Sequence, residues 1–185
     1  MALIAGVDEA GRGSFLGNVY AGCVIWDNSI DHKLLKDSKK LSKVQREEMR
    51  DFIIEHSIAW SYGYSDNKYI DKYGIVDATM NAMHCAIRNL NIEVDELYID
   101  GNYYKPFDNT LFTCFVQGDS LHKCISAASI IAKTFHDDHI NKLPQSLHLY
   151  DIQNNMGYGT KKHIEALRMN GSSNYHRKSF IKKYC

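Results

Sequence analysis

The stretch Gly6-Val7-Asp8-Glu9-Ala10-Gly11-Arg12-Gly13 constrains this chain more than any other. It continues the apolar run Leu3-Ile4-Ala5, which predicts a buried strand, and it places two adjacent carboxylates where that strand meets a glycine-rich turn. Acids are rare in buried strands unless a partner such as a divalent cation neutralises them. Gly11 and Gly13 flank an arginine, so the backbone can approach a ligand beside a guanidinium. The alternative is a hairpin with a charged turn, because neighbouring strand residues face opposite sides.

Strand-like and helix-like segments alternate along the rest of the chain. Residues rich in β-formers predict further strands at 18–26, 58–64, 96–100 and 111–116. Apolar residues at helical spacing predict helices at 44–55, 75–90, 120–143 and 161–168, the first capped by Ser42, and residues 151–160 predict a loop. This order indicates an α/β fold with a mixed sheet covered by helices. Without a linker, repeat or shift in composition, we expect one domain.

Composition narrows the class of protein. With 44% hydrophobic and 24% charged residues the chain is predicted to be globular, and it has neither a signal-peptide pattern nor a run of roughly 20 apolar residues that could span a membrane. Five scattered cysteines without a CxxC motif favour a reducing, cytoplasmic location over a disulfide scaffold or zinc ribbon. The net charge is zero, but residues 31–46 and 161–185 are basic and suit contact with a phosphate backbone.

Three acids share one feature, which is that each follows an apolar strand-like run: Asp8, Asp100 and Asp119. Sites in open α/β sheets collect at strand ends, so these carboxylates are expected to converge. Converging carboxylates repel one another unless cations are present, and two Mg²⁺ or Mn²⁺ ions roughly 4 Å apart can stabilise the attacking and leaving oxygens of a phosphodiester displacement. Alternatively, Asp100 forms a turn with the following glycine, and Asp119 caps the next helix.

A further acidic and histidine cluster, His136-Asp137-Asp138-His139, has a spacing compatible with a second metal site. Residues three apart share one face of a helix, which would bring two of these side chains together. The composition is nevertheless more typical of a solvated turn. We therefore do not assign a metal to this cluster.

Seven motifs in series resemble the ribonuclease HII family, and the likeness runs from Ala5 to Phe180. They are Asp8-Glu9-Ala10-Gly11-Arg12-Gly13, Asp37-Ser38-Lys39-Lys40-Leu41-Ser42, Tyr98-Ile99-Asp100-Gly101, Gly118-Asp119, Ser126-Ala127-Ala128-Ser129-Ile130-Ile131-Ala132-Lys133, Gly157-Tyr158-Gly159-Thr160 and His176-Arg177-Lys178-Ser179-Phe180. The resemblance implies one RNase H-like catalytic domain over residues 1–185, with a mixed central sheet flanked by helices and a short, basic C-terminal tail.

The resemblance also implies a metal-dependent endoribonuclease. Such an enzyme hydrolyses the RNA strand of RNA/DNA hybrids and nicks 5′ of ribonucleotides embedded in duplex DNA, leaving 5′-phosphate and 3′-hydroxyl ends. By position, the four catalytic carboxylates that hold two Mg²⁺ or Mn²⁺ ions are Asp8, Glu9, Asp100 and Asp119. Asp137 matches a further acid of the family, which we expect to support the metal ligands without itself binding metal.

The same likeness implies the substrate contacts. The Gly11-Arg12-Gly13 turn matches the element that reads the ribose 2′-hydroxyl, and Tyr158 matches the tyrosine that packs on the sugar of the following deoxynucleotide. The expected contacts to the phosphate backbone are Lys39, Lys40, Lys133 and Arg177. Tyr158 could instead be a loop aromatic packed on the core, and the two adjacent lysines could belong to a solvated loop.

Two departures and three rival functions qualify this interpretation. Met156 stands where the family usually carries lysine, and the C-terminal extension is shorter than in many members, so we expect a modest, salt-sensitive substrate affinity.

The rivals are a ribonuclease HIII-like hybrid nuclease, a catalytically silent nucleic-acid-binding protein of the same fold, and another RNase H-fold nuclease such as a resolvase or integrase. The expected partners are RNA/DNA hybrid and ribonucleotide-containing duplex DNA, without a membrane, and the expected state is a monomer.

Overall fold

The computed structural model describes residues 2–32, 35, 41–106 and 108–184. Its strands are β1 (Ile4–Ala10), β2 (Val19–Ile25), β3 (Ala59–Ser65), β4 (Glu96–Asp100) and β5 (Leu111–Phe115). They form one sheet in the order β3-β2-β1-β4-β5. The β1–β2 and β2–β3 pairs are antiparallel, whereas β1–β4 and β4–β5 are parallel. The sheet is therefore mixed, as the sequence predicts, and β1 lies at its centre.

Helices cover both faces of this sheet. They are α1 (Lys43–His56), α2 (Asn67–Tyr73), α3 (Ile75–Asn89), α4 (Lys123–Asn141), α5 (Ile152–Asn155), α6 (Lys161–Asn170) and α7 (Lys178–Ile181), with 3-10 turns at Gly118–Ser120 and Gln145–Tyr150. On β2, Cys23 packs in the cluster that α3 completes, and its neighbour Val24 packs in the cluster of α1 and α4. Alternating strand residues thus supply two separate cores.

Helix α4 lies unusually close to β2, the neighbour of the strand that carries Asp8 and Glu9. A Cβ atom at Gly22 on β2 would sit 2.3 Å from the carbonyl oxygen of Ala128, so only glycine permits this approach. Asp8 pairs with Gly22 across β1 and β2, which brings α4 against the functional end of β1. In the part of the chain that the structure describes, no helix is long and apolar enough to cross a membrane.

Most predicted elements are present, with three corrections. Ser42 caps α1 in a reciprocal capping box with Gln45, as expected for this residue type. Helix α4 begins at Lys123 after His122, so Asp119 is not its N-cap but lies in the preceding 3-10 turn. The predicted loop at 151–160 contains α5, and the sequence periodicity also missed α2 and α7, which are too short to show a repeat.

Candidate active site

The sheet brings the predicted catalytic acids to one edge. Val7 on β1 pairs with Ile99 on the parallel strand β4, so Asp8, two residues before the end of β1, lies beside Asp100, the last residue of β4. The backbone N–H of Gly118 donates a 2.7 Å hydrogen bond to Oδ1 of Asp100, and this bond holds the 3-10 turn with Asp119 beside β4. The parallel pairing of β1 with β4 therefore explains the predicted convergence of Asp8 and Asp100.

Burial and mutual repulsion perturb two of these acids. Burial raises the pKa of Asp8 well above its ordinary value, and repulsion from Glu9 and Asp100 raises it further, against hydrogen bonds from the Glu9 amide and the Ser129 side chain. Burial also raises the pKa of Glu9, opposed by Arg12, whose Nη1 lies 3.1 Å from Glu9 Oε1. A cation between these carboxylates would relieve the repulsion.

The carboxylates of this site are engaged in contacts within the protein. Among the described residues, no three His, Cys, Asp or Glu side chains form a ready-made metal group. Instead, Asp8 accepts a hydrogen bond from the Glu9 amide, Glu9 pairs with Arg12, and Asp100 accepts from Gly118. Carboxylate oxygens are nevertheless the ligands that Mg²⁺ and Mn²⁺ prefer, and those near Asp8 repel one another. These carboxylate oxygens would suit a hard divalent cation that replaces the hydrogen bonds and the ion pair just described.

The glycine-arginine-glycine turn lines a cavity of about 400 Å³ together with Glu9. Gly11 has φ +83°, and a Cβ atom there would lie 2.3 Å from Cδ2 of the buried His136, so this position requires glycine for two reasons. Gly13 lies next to the Tyr158 ring, since a Cβ atom added to the glycine would lie 3.6 Å from Cε1 of the ring. The turn and the tyrosine therefore line one cavity.

Two cations form a wall of this cavity, and Asp137 holds both. Lys133 Nζ lies 2.8 Å from Asp137 Oδ1 and 5.5 Å from the centroid of the Tyr158 ring. Arg46 Nη1 lies 3.3 Å from Asp137 Oδ2. Arg46 was missed by the sequence interpretation, although it belongs to the basic segment 31–46. Asp137 thus contacts Lys133, Arg46 and His136, and its expected support of the metal ligands stays a prediction.

The cluster at 136–139 is not a solvated turn. It lies in α4, where His136 is fully buried and Asp137 is buried beside it, with His136 Nδ1 3.0 Å from Asp137 Oδ1. Asp138 pairs with Arg50 Nη1 at 3.0 Å. The local sequence is polar, but basic side chains from α1 pair with both acids. Because α1 is distant in sequence, the spacing of residues within the cluster could not predict these pairs.

The position of Arg177 differs from the predicted contact with substrate. Its side chain is fully buried, so it does not reach a phosphate backbone as predicted. Its guanidinium donates instead to the carbonyl oxygens of Arg12, Gly17 and Asn18 at 2.9, 2.9 and 3.0 Å. Arg177 therefore lies behind the turn that was expected to read the 2′-hydroxyl. Of the three other expected cations, Lys133 lines the cavity, whereas Lys39 and Lys40 lie outside the described residues.

Two buried histidines connect the C-terminal segment to Tyr158. The amide of Ser173 donates to His176 Nδ1 at 3.0 Å, His176 Nε2 lies 3.0 Å from His163 Nε2, and His163 Nδ1 lies 3.0 Å from the Tyr158 carbonyl. These contacts are satisfied when both rings are neutral, with one proton on His176 Nε2 and one on His163 Nδ1. Burial lowers the pKa of His163 and lowers that of His176 to about 4.

Because His163 and His176 are buried with lowered pKa values, we expect the fold to lose stability in acid. Between pH 6.5 and 4 an unfolded histidine binds a proton that folded His176 does not, so stability is fully present above pH 6.5 and is lost as the pH falls. We expect His176 to account for about 2 kcal/mol of lost unfolding free energy between pH 7.5 and pH 5. Urea unfolding of wild type and His176→Gln measures the effect as a difference, which removes contributions from other groups. Equal pH dependence in both proteins would contradict this prediction.

Comparisons with known proteins agree with the geometry. A family model for ribonuclease HII matches residues 5–183. Ribonuclease HII of Pelagibacter ubique is 46% identical over 180 residues, which cover 97% of this chain and 96% of the relative. The crystal structure of the ribonuclease H2 from Pyrococcus horikoshii aligns with a TM-score of 0.81 at 25% identity, covering 98% of this chain and 96% of that one. Bst-RNase HIII in complex with Mn²⁺ shares the fold, with a TM-score of 0.68 at 18% identity over 92% of this chain and 63% of that one.

Proposed function

Because the chain belongs to the ribonuclease HII family, as its motifs predicted, we propose that it nicks duplex DNA on the 5′ side of embedded ribonucleotides and also cleaves the RNA strand of RNA/DNA hybrids. Membership makes it a ribonuclease H-type hydrolase with the RNase H-like fold. The observation that carries the finer proposal is the meeting of Asp8, Glu9 and Asp100 beside the Gly11–Gly13 turn.

The acids would act as the metal-binding part of the site. Asp8, Glu9, Asp100 and Asp119 would hold two divalent ions, Mg²⁺ or Mn²⁺, which supply an activated water and neutralise charge at the phosphorus. Ser129 and the Glu9 amide orient the Asp8 carboxylate, and the Gly118 amide orients that of Asp100. Ordering of these oxygens before substrate arrives lowers the cost of assembling the site.

The cavity wall would select the substrate. Arg12 and Gly13 are exposed and Gly13 lies next to the half-buried Tyr158, so a ribose held by the turn would place the following sugar against the ring. Lys133 and Arg46 stand at the same wall, where they would contact phosphates without reading sequence. This arrangement supports recognition of an RNA-to-DNA junction. Four cysteines among the described residues are free, which favours a reducing compartment, and we place this activity in the cytoplasm. We also propose that the protein acts as a monomer.

A nicking assay tests the proposal. We expect a DNA duplex that contains one ribonucleotide to be cut on the 5′ side of that residue when Mg²⁺ or Mn²⁺ is present, with a 3′-hydroxyl product. The identical all-DNA duplex is the control and should stay intact, because it lacks the 2′-hydroxyl. Cleavage of continuous hybrid alone would indicate the ribonuclease HIII-like rival, and binding without cleavage of either substrate would indicate the silent protein.

A further inference from the structure

We propose that Arg177 and His176 are positioning residues that fix the Gly11–Gly13 turn relative to Tyr158, and that this fixed spacing sets the preference for an RNA-to-DNA junction over continuous hybrid. The inference rests on the proposed function and deepens it. It assigns neither residue a contact with substrate. Both act through the backbone of the two elements that line the cavity.

Arg177 holds the turn directly. Its three nitrogen atoms each donate to a different carbonyl within residues 12–18, including that of Arg12 itself. A planar guanidinium with several fixed donors can bind three carbonyls at once, which a lysine ammonium on a flexible stem matches poorly. The bonds to Gly17 and Asn18 are buried, so these two carbonyls would lose their donor where water cannot readily replace it. The position of the Arg12 backbone therefore depends on this side chain.

His176 holds Tyr158 through one intermediate ring. His163 donates from Nδ1 to the Tyr158 carbonyl and accepts at Nε2 from His176, so the tyrosine backbone is tied to the C-terminal segment. The turn held by Arg177 and the Tyr158 segment held by the histidine pair are also joined by backbone hydrogen bonds, and we call this connected backbone the frame. Arg177 N donates to Phe15 O at 2.8 Å, and Phe15 N donates to Gly157 O at 2.8 Å, next to Tyr158. The turn, residue 15, residue 157 and the histidine pair thus form one connected body.

A rigid spacing between two contact points matters for a substrate that must meet both. A single-ribonucleotide junction offers one 2′-hydroxyl to the turn and one deoxyribose to the ring, so both contacts must be met by adjacent nucleotides. Continuous hybrid offers a 2′-hydroxyl at every position of the RNA strand. A displaced turn can therefore still contact a 2′-hydroxyl of that strand. A misplacement of about 1 Å can lower a rate by about a hundredfold. Loss of the frame should therefore affect the junction substrate most.

The first test replaces Arg177 by lysine and measures kcat/KM on a single-ribonucleotide duplex and on continuous RNA/DNA hybrid. We expect the ratio of the two values to fall about tenfold or more, because the junction substrate loses most. Arg168→Lys, at an exposed arginine of α6, is the matched control and should leave the ratio unchanged. A purely structural role predicts that both substrates lose activity equally, together with the melting temperature, and this result would overturn the proposal.

The second test uses a pair of His163 variants and covers the case in which Arg177→Lys does not fold. His163→Asn keeps a donor near the Nδ1 position for the Tyr158 carbonyl, whereas His163→Gln places its amide near Nε2 and loses that donor. We expect a larger fall of the ratio in the glutamine variant, and equal ratios in the two variants would overturn the link to Tyr158. If wild type itself leaves the single-ribonucleotide duplex uncut, the proposed function fails. If wild type cuts and the ratio never changes, only this inference fails.

Discussion

Replacing Asp100 by asparagine is expected to lower kcat by about a thousandfold or more while duplex binding persists, since a lost metal ligand removes several kcal/mol of transition-state stabilisation. Asparagine retains an oxygen that can accept the 2.7 Å hydrogen bond from the Gly118 amide, so the end of β4 should keep its place. The substitution also removes one source of repulsion on the buried Asp8. The metal-free variant should therefore be at least as stable as wild type.

Three measurements separate a metal-binding role from a structural one. Nicking of a single-ribonucleotide duplex gives kcat, fluorescence anisotropy gives binding, and thermal unfolding with and without Mn²⁺ gives the stabilisation by metal, which should be smaller in the variant. Glu96→Gln is the matched control, because Glu96 is an acid at the opposite end of the same strand and accepts from Thr113 Oγ1. Retained cleavage would refute a catalytic role for Asp100. Failure to fold would reassign Asp100 to structure.

Gly11→Ala is expected to lower cleavage of a single-ribonucleotide duplex by about a hundredfold and to cost about 2 kcal/mol of unfolding free energy. Alanine is strained at φ +83°, and its methyl group would overlap the imidazole of His136. His136 is fully buried in α4 and cannot move into solvent, so the turn must move away from the helix. The Arg12 backbone would then leave the position that Arg177 supports.

Gly13→Ala supplies the comparison within the same turn. A Cβ atom at this position meets the Tyr158 ring at an ordinary contact distance of 3.6 Å and needs no strained backbone. Its unfolding free energy should stay within about 0.5 kcal/mol of wild type. If both alanine variants unfold at the wild-type temperature, the steric account of Gly11 is wrong. If Gly11→Ala is less stable yet nicks at the wild-type rate, the position of the turn does not control cleavage.

The sequence predicted those parts of the site that depend on local pattern. Asp8 and Asp100 each end an apolar run, and parallel pairing of neighbouring strands brings such ends together. The family motifs added the expected role of the turn and of Tyr158. These inferences needed no knowledge of distant contacts, because strand periodicity and strand ends are properties of a few consecutive residues.

The errors about Arg177 and about the cluster at 136–139 share a cause, which is that the deciding partner lies far away in the chain. Arg177 belongs to a basic segment that looks solvated, yet its three acceptors are 159 to 165 residues earlier. Asp137 sits in a polar tetrapeptide, and its partner Arg46 lies 91 residues before it. Burial of a charge requires such partners, and no window of neighbouring residues contains them.

The link between Arg12 and Arg177 also bears on how the protein is made. Residue 12 is synthesised 165 residues before the guanidinium that holds its carbonyl. At about 5–20 residues per second, the turn exists for many seconds before its support has been synthesised. A nascent chain that ends before Arg177 therefore lacks the three donors that hold residues 12–18, so the turn can take its final position only after residue 177 has been added.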